Sequence, residues 1–228
     1  MTFARRTRWL KRAALAPFAR TRLPLSLPSP LAGEGGGASP PGEGFFPRIL
    51  LTFDDGPHPV YTPAVLDRLA AFGVTGAFFL VGNRITDPSL VKRIADAGHA
   101  LGNHTFAHAP PRWHNFGGSD VRKCQELVPG ATLFRPPLGR LTLGLWLAAR
   151  RLKLPCVNWS LDSGDWRCRS EADAVLCAQE VLELVRPGDI VLFHDDHRWI
   201  VPILDVVLPA LTRRGLMDQR TPRTSTMC

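Results

Sequence analysis

The chain has 228 residues, 45% of them hydrophobic, and a formal net charge of +8, which bounds it to one domain with a single core. Residues 1–47 carry seven Arg or Lys against two Glu, residues 212–228 four Arg against one Asp, and residues 48–211 balance 17 basic with 17 acidic side chains. A nucleic-acid binder would carry its basic face on the folded part, so the composition points away from a nucleic-acid partner.

Residues 1–47 do not read as part of a fold. Arg5, Arg6, Arg8, Lys11 and Arg12 precede the apolar run Ala13–Ala19, which contains Pro17 and is cut short by Arg20 and Arg22. That run lies at the lower length limit of a signal-peptide core. From Leu23 to Pro47 the chain is low-complexity Pro, Gly, Ser and Leu, the composition of a linker or a disordered segment. The stretch Leu27–Gly35 resembles translated intergenic repeat sequence, which suggests a true start near Phe45 or a fused upstream frame. No apolar run approaches ~18 residues, so no transmembrane segment is expected. A cytoplasmic location is the default, and the cell envelope is the alternative if the N-terminus is wrongly assigned.

The first predicted strand, Arg48–Phe53, is apolar and β-rich, and Gly56-Pro57 breaks the chain after it. Asp54 and Asp55 are thus held side by side at a strand end, facing different directions. One carboxylate could bind a metal while its neighbour acts as a base; an Asp-rich turn is the plainer account of the run taken alone. Thr62 as N-cap and Pro63 at the first helical position open a helix to Phe72, before Gly73. A strand follows at Ala77–Val81, and Asp87-Pro88 opens a second helix closed by Gly98. Ala100-Leu101 then lead to Gly102-Asn103-His104-Thr105-Phe106-Ala107-His108. On a helical turn the i, i+4 spacing brings both imidazoles to one side. Two imidazoles and one carboxylate make a three-ligand site open to water, as a hydrolytic zinc centre needs. No Glu stands between the histidines as a zincin would require.

Ser119 is expected to cap a short helix containing Val121, Cys124 and Leu127. Further helices are expected over Leu143–Leu152, over Glu171–Val185 with Ser170 as cap, and over Pro202–Leu211. Cys156–Leu161 and Asp189–Phe193 read as strands. This alternation implies a mainly parallel sheet. Polar motifs recurring at strand C-termini imply a barrel with its site on that face, in a span shorter than the ~250 residues of a full eight-fold barrel. The five cysteines, Cys124, Cys156, Cys168, Cys177 and Cys228, are odd in number and form no CxxC, so free thiols are expected.

Taken in order, Thr52-Phe53-Asp54-Asp55-Gly56-Pro57, the His104/His108 pair, Arg135-Pro136-Pro137-Leu138-Gly139, Asp162-Ser163-Gly164-Asp165-Trp166 and Leu192-Phe193-His194-Asp195 resemble the polysaccharide deacetylase family. This is the NodB homology domain, of the carbohydrate esterase family 4 type. The resemblance runs from about Arg48 to Leu211, with the domain taken as 48–216 and 217–228 as an irregular tail. It implies an α/β fold, a distorted (β/α) barrel of about seven strands, and hydrolysis of N-acetyl groups from an amino-sugar polymer or oligosaccharide. By the same resemblance Asp55, His104 and His108 hold the metal, zinc or else cobalt or another divalent transition metal. Asp54 is the general base, oriented by Arg135, and His194 protonates the departing amine, oriented by Asp165. The backbone N–H of Leu138 serves the oxyanion, and Trp166 with Leu192 forms an apolar pocket for the acetyl methyl.

His58, His99, His114 and His197 lie outside these motifs, and surface or packing roles are expected for them. Asp195 and Asp196 could support the site or be solvated, Asp162 braces its turn, and Trp113 and Trp199 line the cleft or pack. The chain departs from the family in three places. Leu138 stands where Tyr is common, the segment between His108 and Arg135 is compact, and no apolar strand pattern follows the last helix. A missing final strand would leave Arg48–Phe53 with an open edge beside Asp54 and Asp55. Two alternatives therefore stand beside a chitooligosaccharide or peptidoglycan deacetylase: an inactive carbohydrate-binding relic, and a deformylase or acetylxylan esterase.

Overall fold

Six parallel strands alternate with six helices in a computed structural model that describes residues 48–110 and 118–217. The two tails, Trp113, His114 and Cys228 lie outside the described residues. The strands are β1 (Leu50–Asp54), β2 (Gly76–Leu80), β3 (Ala100–Asn103), β4 (Leu133–Phe134), β5 (Leu161–Asp162) and β6 (Ile190–His194). The helices are α1 (Tyr61–Ala71), α2 (Pro88–Asp96), α3 (Gly118–Leu127), α4 (Leu143–Arg151), α5 (Glu171–Leu184) and α6 (Ile200–Arg213). Strand order is β4-β3-β2-β1-β6-β5.

Parallel strands covered on both faces need apolar residues at nearly every position, and β1 and β2 are buried almost throughout. Their alternation divides two compartments. Leu51, Phe53, Phe78, Leu80 and Phe193 join the main core with α1 and α6, where Phe53 stacks on Phe78 at 4.8 Å and lies 6.0 Å from Phe193. Ala77, Phe79, Leu133 and Val157 make a smaller cluster on the other face. Thr52 and Asp54, two residues apart on β1, share that inner side, where Arg135 lies 4.0 Å from the Phe79 ring centre and bonds both.

The expected open edge at β1 is not there. Leu51–Asp54 pair with Gly76–Phe79 of β2 on one side, and Leu50–Asp54 pair with Ile190–His194 of β6 on the other. The ring closes elsewhere, through the segment predicted as a strand at Cys156–Leu161. Its first part pairs with β4, Phe134 N–H donating to the Pro155 carbonyl at 2.9 Å and Val157 N–H to Phe134 at 2.8 Å. Its second part pairs with β6, Ser160 N–H donating to Ile190 at 2.9 Å, and only Leu161–Asp162 is regular strand. One segment thus bridges both sheet edges. No strand follows α6 among the described residues. Instead the chain turns at Gly215 (φ 65°), the Leu216 carbonyl accepts Ile49 N–H at 2.9 Å, and Met217 is buried.

Helix signals held where a side chain satisfies the first turn. Asp87 caps α2 through Ser89 N–H at 2.8 Å, and Ser170 with Asp173 forms a full capping box on α5. Thr62 does not cap α1, which begins a residue earlier. Its hydroxyl accepts His58 N–H and donates to Asp195, a partner 133 residues away. Likewise α6 begins at Ile200, two residues before Pro202. No described helix is long and apolar enough to cross a membrane.

Candidate active site

The polar residues gather at the C-terminal ends of the strands. Asp54 is the last residue of β1 and 2% exposed, whereas Asp55 lies beyond the strand in left-handed backbone (φ 71°), which turns its side chain away from that of its neighbour. The histidine pair follows β3 in a loop and not on the helical turn expected from its spacing. Thr105 (φ 66°) and His108 (φ 49°) are both left-handed. Side-chain and backbone bonds fix this loop: Thr105 N–H to Asn103 Oδ1 at 3.0 Å, His108 N–H to Thr105 Oγ1 at 3.2 Å, and Gly82 N–H to the Thr105 carbonyl at 3.0 Å.

The ligand atoms of Asp55, His104 and His108 all lie within 4.8 Å of one another. His108 Nε2 is 3.2 Å and His104 Nε2 3.6 Å from Asp55 Oδ1. Nδ1 of His104 donates to the Arg135 carbonyl at 2.7 Å, so its Nε2 lone pair faces the carboxylate. Burial pulls the His104 imidazole down to about 3, leaving it in the neutral form that a metal ligand requires. Asp55 Oδ1 is buried with no hydrogen-bond partner. A buried carboxylate oxygen left without a hydrogen-bond donor beside two imidazole nitrogens fits a divalent cation, and two N donors with one O suit zinc.

Asp54 stands next to this group, its Oδ2 3.6 Å from His104 Nε2. Its Oδ1 accepts from Arg135 Nη1 at 2.6 Å, and Arg135 also reaches Thr52 Oγ1 at 2.8 Å and the Val157 carbonyl at 2.9 Å. Burial lifts the Asp54 carboxyl above its ordinary range, and the Arg135 charge only partly offsets that. Across the β1–β6 ladder Asp54 is the register partner of His194. His194 Nδ1 donates to Asp165 Oδ1 at 2.8 Å, and His194 N–H donates to Asp165 Oδ2 at 2.7 Å. Burial works against charge on His194, but Asp165, Asp54 and Asp55 carry its imidazole up to about 10. Burial would raise the Asp165 carboxyl too, yet His194 and His197 hold it well below the usual carboxylate range.

The remaining expected residues lie around this pair of carboxylate–base units. Leu192 is buried on β6, two residues from His194 and so on its face of the strand. Trp166 is half-exposed, its N–H donating to Asp165 Oδ1 at 2.9 Å. Leu138 adopts left-handed backbone (φ 56°) on the turn after Arg135, with the residue 55% exposed. Asp162 braces its turn through Gly164 N–H at 2.8 Å. His58 caps Val60 and Tyr61 N–H groups, and His99 accepts Gly76 N–H at 3.1 Å, the packing roles expected. Trp199 packs on the main core.

Four residues of the site were not singled out by sequence. Thr52 anchors Arg135, and its place two residues before Asp54 on one strand face was the available signal. Trp159 lies 5.5 Å from the Arg135 guanidinium. Arg84 donates to the Asp55 carbonyl and to Asp196, and nothing local marks it. His197, expected at the surface or in packing, has Nε2 3.2 Å from Asp165 Oδ2. Asp195 is fully buried behind the Asp54–Gly56 turn, donating its N–H to the Asp54 carbonyl, and burial pushes its carboxyl up to about 7.

Comparison with known proteins agrees with this geometry. Residues 45–157 match the family model for polysaccharide deacetylase. The chain is 35% identical over 201 residues to the chitooligosaccharide deacetylase of Sinorhizobium fredii, covering 78% of this chain and 91% of that protein. It is 36% identical over 178 residues to the peptidoglycan-N-acetylglucosamine deacetylase PgdA of Listeria monocytogenes, covering 74% of this chain but 36% of that protein. Among solved structures, the Bc1960 peptidoglycan N-acetylglucosamine deacetylase superposes with a TM-score of 0.67 at 31% identity, over 75% of this chain and 84% of that one. The family 4 carbohydrate esterase of Streptomyces lividans gives 0.67 at 26% identity, over 78% and 95%. With its closed strand ring, its Asp-His-His group and its relatives in accord, the chain belongs to the polysaccharide deacetylase family.

Proposed function

We propose that the protein removes N-acetyl groups from an amino-sugar oligosaccharide or polymer of the chitooligosaccharide or peptidoglycan type, with a divalent metal, zinc by preference, held by Asp55, His104 and His108. The observation that carries this reading is the unpaired, buried Asp55 Oδ1 facing two imidazole Nε2 atoms, between a base held by Arg135 and an acid held by Asp165. The metal, when bound, supplies Lewis acidity toward an acetyl carbonyl and acidifies water.

Asp54 accepts the proton of the attacking water. Its raised carboxyl brings it nearer the pH at which it must act, and Arg135 fixes its orientation. His194, charged through its pairing with Asp165, holds the proton that the departing amine needs, since an amine anion is not a viable leaving group. The Leu138 N–H, on the tight turn after Arg135, is the donor assigned to the developing oxyanion. Leu192 and Trp166 flank His194 and offer apolar surface for a methyl group. The inactive-relic reading rested on an open barrel, and the two-neighbour pairing of β1 removes that ground.

The test is acetate release from chitooligosaccharides, peptidoglycan and acetylxylan, with and without added Zn²⁺ or Co²⁺. Metal-dependent release from either amino-sugar substrate is expected. Release from acetylxylan alone would reassign the protein as an esterase, and no release from any metal-loaded sample would overturn the reading.

A further inference from the structure

Asp165 is more fully bonded than a simple acid–base partner requires. Oδ1 accepts from His194 Nδ1 (2.8 Å) and Trp166 N–H (2.9 Å), and Oδ2 accepts from His194 N–H (2.7 Å). The fourth donor is His197, whose Nε2 lies 3.2 Å from Oδ2. The tautomer of His197 is set from its other side. Trp199 N–H donates to His197 Nδ1 at 3.2 Å, so the ring proton sits on Nε2, aimed at Asp165. His197 lies on the turn between β6 and α6, and its backbone carbonyl accepts Ile200 N–H at the first turn of α6. Two imidazoles therefore share one buried carboxylate, one from the end of β6 and one from the start of α6.

We propose that His197 is a positioning residue for the proton donor: by donating to Asp165 Oδ2 it fixes the carboxylate plane and moderates its pull on the His194 Nδ1 proton. This rests on the reading of His194 as the acid. A carboxylate relieved of one donor becomes the stronger acceptor for those that remain. Without His197, Asp165 would hold the His194 proton pair more tightly, and His194 would give up its outer proton less readily. The other charged or titratable groups facing this pair are Asp54 at the end of β1 and Asp55 just beyond it, Asp162 at the end of β5, Arg167 and Cys168 on the Asp165 turn, and Cys177 on α5.

The test compares zinc-loaded wild type with His197→Gln, which keeps an amide donor of similar reach, and His197→Phe, which keeps the bulk and loses the donor. Should phenylalanine crowd the turn, His197→Ala serves in its place. Acetate release from a soluble chitooligosaccharide should show kcat lowered about fivefold in His197→Phe. KM should stay within about twofold, and the alkaline limb of the kcat profile should move to higher pH. His197→Gln should stay close to wild type. The low-field proton resonance of His194 Nδ1–H, which needs no turnover, should move in His197→Phe and stay in His197→Gln. An unmoved resonance and an unmoved alkaline limb in all variants, or equal losses in Gln and Phe that follow melting temperature alone, would overturn the proposal. A moved resonance in a protein that releases no acetate would overturn the deacetylase reading, and with it the catalytic role, while showing that His197 still tunes the Asp165–His194 bond.

Discussion

Asp54 and Asp55 are chemically identical neighbours with opposed surroundings. Asp54 ends β1 against a fully buried Arg135, and Asp55 has left the strand with a bare oxygen toward two imidazoles. On the proposed metal site, His104→Ala or His108→Ala would remove one of three ligands, so zinc retained after loading and dialysis should fall well below one per chain, and activity with it. Asp54→Asn should keep its zinc and lose about 10²–10⁴ in acetate release, because an amide cannot accept the water proton. If Asp54→Asn lost zinc and Asp55→Asn kept it, the two roles would be exchanged. Arg135→Met leaves Asp54 buried without its partner, a change that costs about 3–5 kcal/mol in comparable pairs. Urea denaturation should report that loss together with loss of turnover, since the unpaired carboxyl takes up a proton. The acids and histidines that the fold brings together were legible because two acids before Gly-Pro, or two histidines four apart, are unusual side by side. Thr52, Arg84 and His197 were not, because their partners lie 83, 29 and 32 residues away and meet them only in the folded chain.

Among elements, spacing suggested the Asp55, His104 and His108 cluster but not the geometry that brings it together. An i, i+4 pair fits a helical turn, yet His104 and His108 meet across a loop in which Thr105 and His108 take positive φ. Only the side-chain bonds of Asn103 and Thr105 decide between the two, and a periodicity argument cannot see them. The turn after β1 shows a similar dependence on a distant residue. A Cβ at Gly56 would come within 2.4 Å of Asp195 Oδ2 and 2.5 Å of Oδ1, while Thr62 holds the same carboxylate from α1. Gly56→Ala should therefore displace Asp195 or the Asp54–Asp55 turn. A lowered melting temperature and weaker zinc binding by calorimetry are expected, with Asp195→Gly in the same chain restoring part of both.

The link from β6 to the Asp165 turn also sets a pH dependence. His194 is raised from its ordinary value to about 10, so its contribution to stability is complete below about 6.5 and decays as pH rises toward 10. Asp165 is depressed, so its contribution is complete above the ordinary carboxylate range and is lost as pH falls beneath it. Melting temperature followed across pH should show wild type losing stability relative to His194→Gln above neutrality. Parallel curves for the two proteins from pH 6 to 10 would mean that the pair carries no net stability.

At the scale of the whole molecule, the alternation of strands and helices gave the barrel, and the closure was the part that alternation could not show. A sheet edge is costly when left open, and the lack of an apolar pattern after Arg214 suggested that β1 would have such an edge. The ring instead closes through residues 155–163, which leave β4 and join β6 within nine residues. The apolar pattern marks Cys156–Leu161 as one strand, but it cannot show that the two ends of that segment pair with different neighbours, β4 and β6. Among the described residues, the end of the chain then has a smaller part: the Ile49 N–H bond to the Leu216 carbonyl, the packing of Leu216 against the main core and the burial of Met217 within it. A chain ending at Gly215 should lose at least about 2–4 kcal/mol, the sum for the buried Met217 side chain and one hydrogen bond, with the packed part of Leu216 adding to it. Zinc affinity should change little, because Asp54 and Asp55 lie at the other end of β1 from Ile49 and keep both strand neighbours. An apolar strand grafted after Leu216 should give no gain in melting temperature, since β1 has no free edge to accept it. Denaturant unfolding and zinc titration of the truncated and extended chains check both statements. A truncation that abolished zinc binding, or a graft that stabilised the protein strongly, would show that the ring is held closed from this end after all.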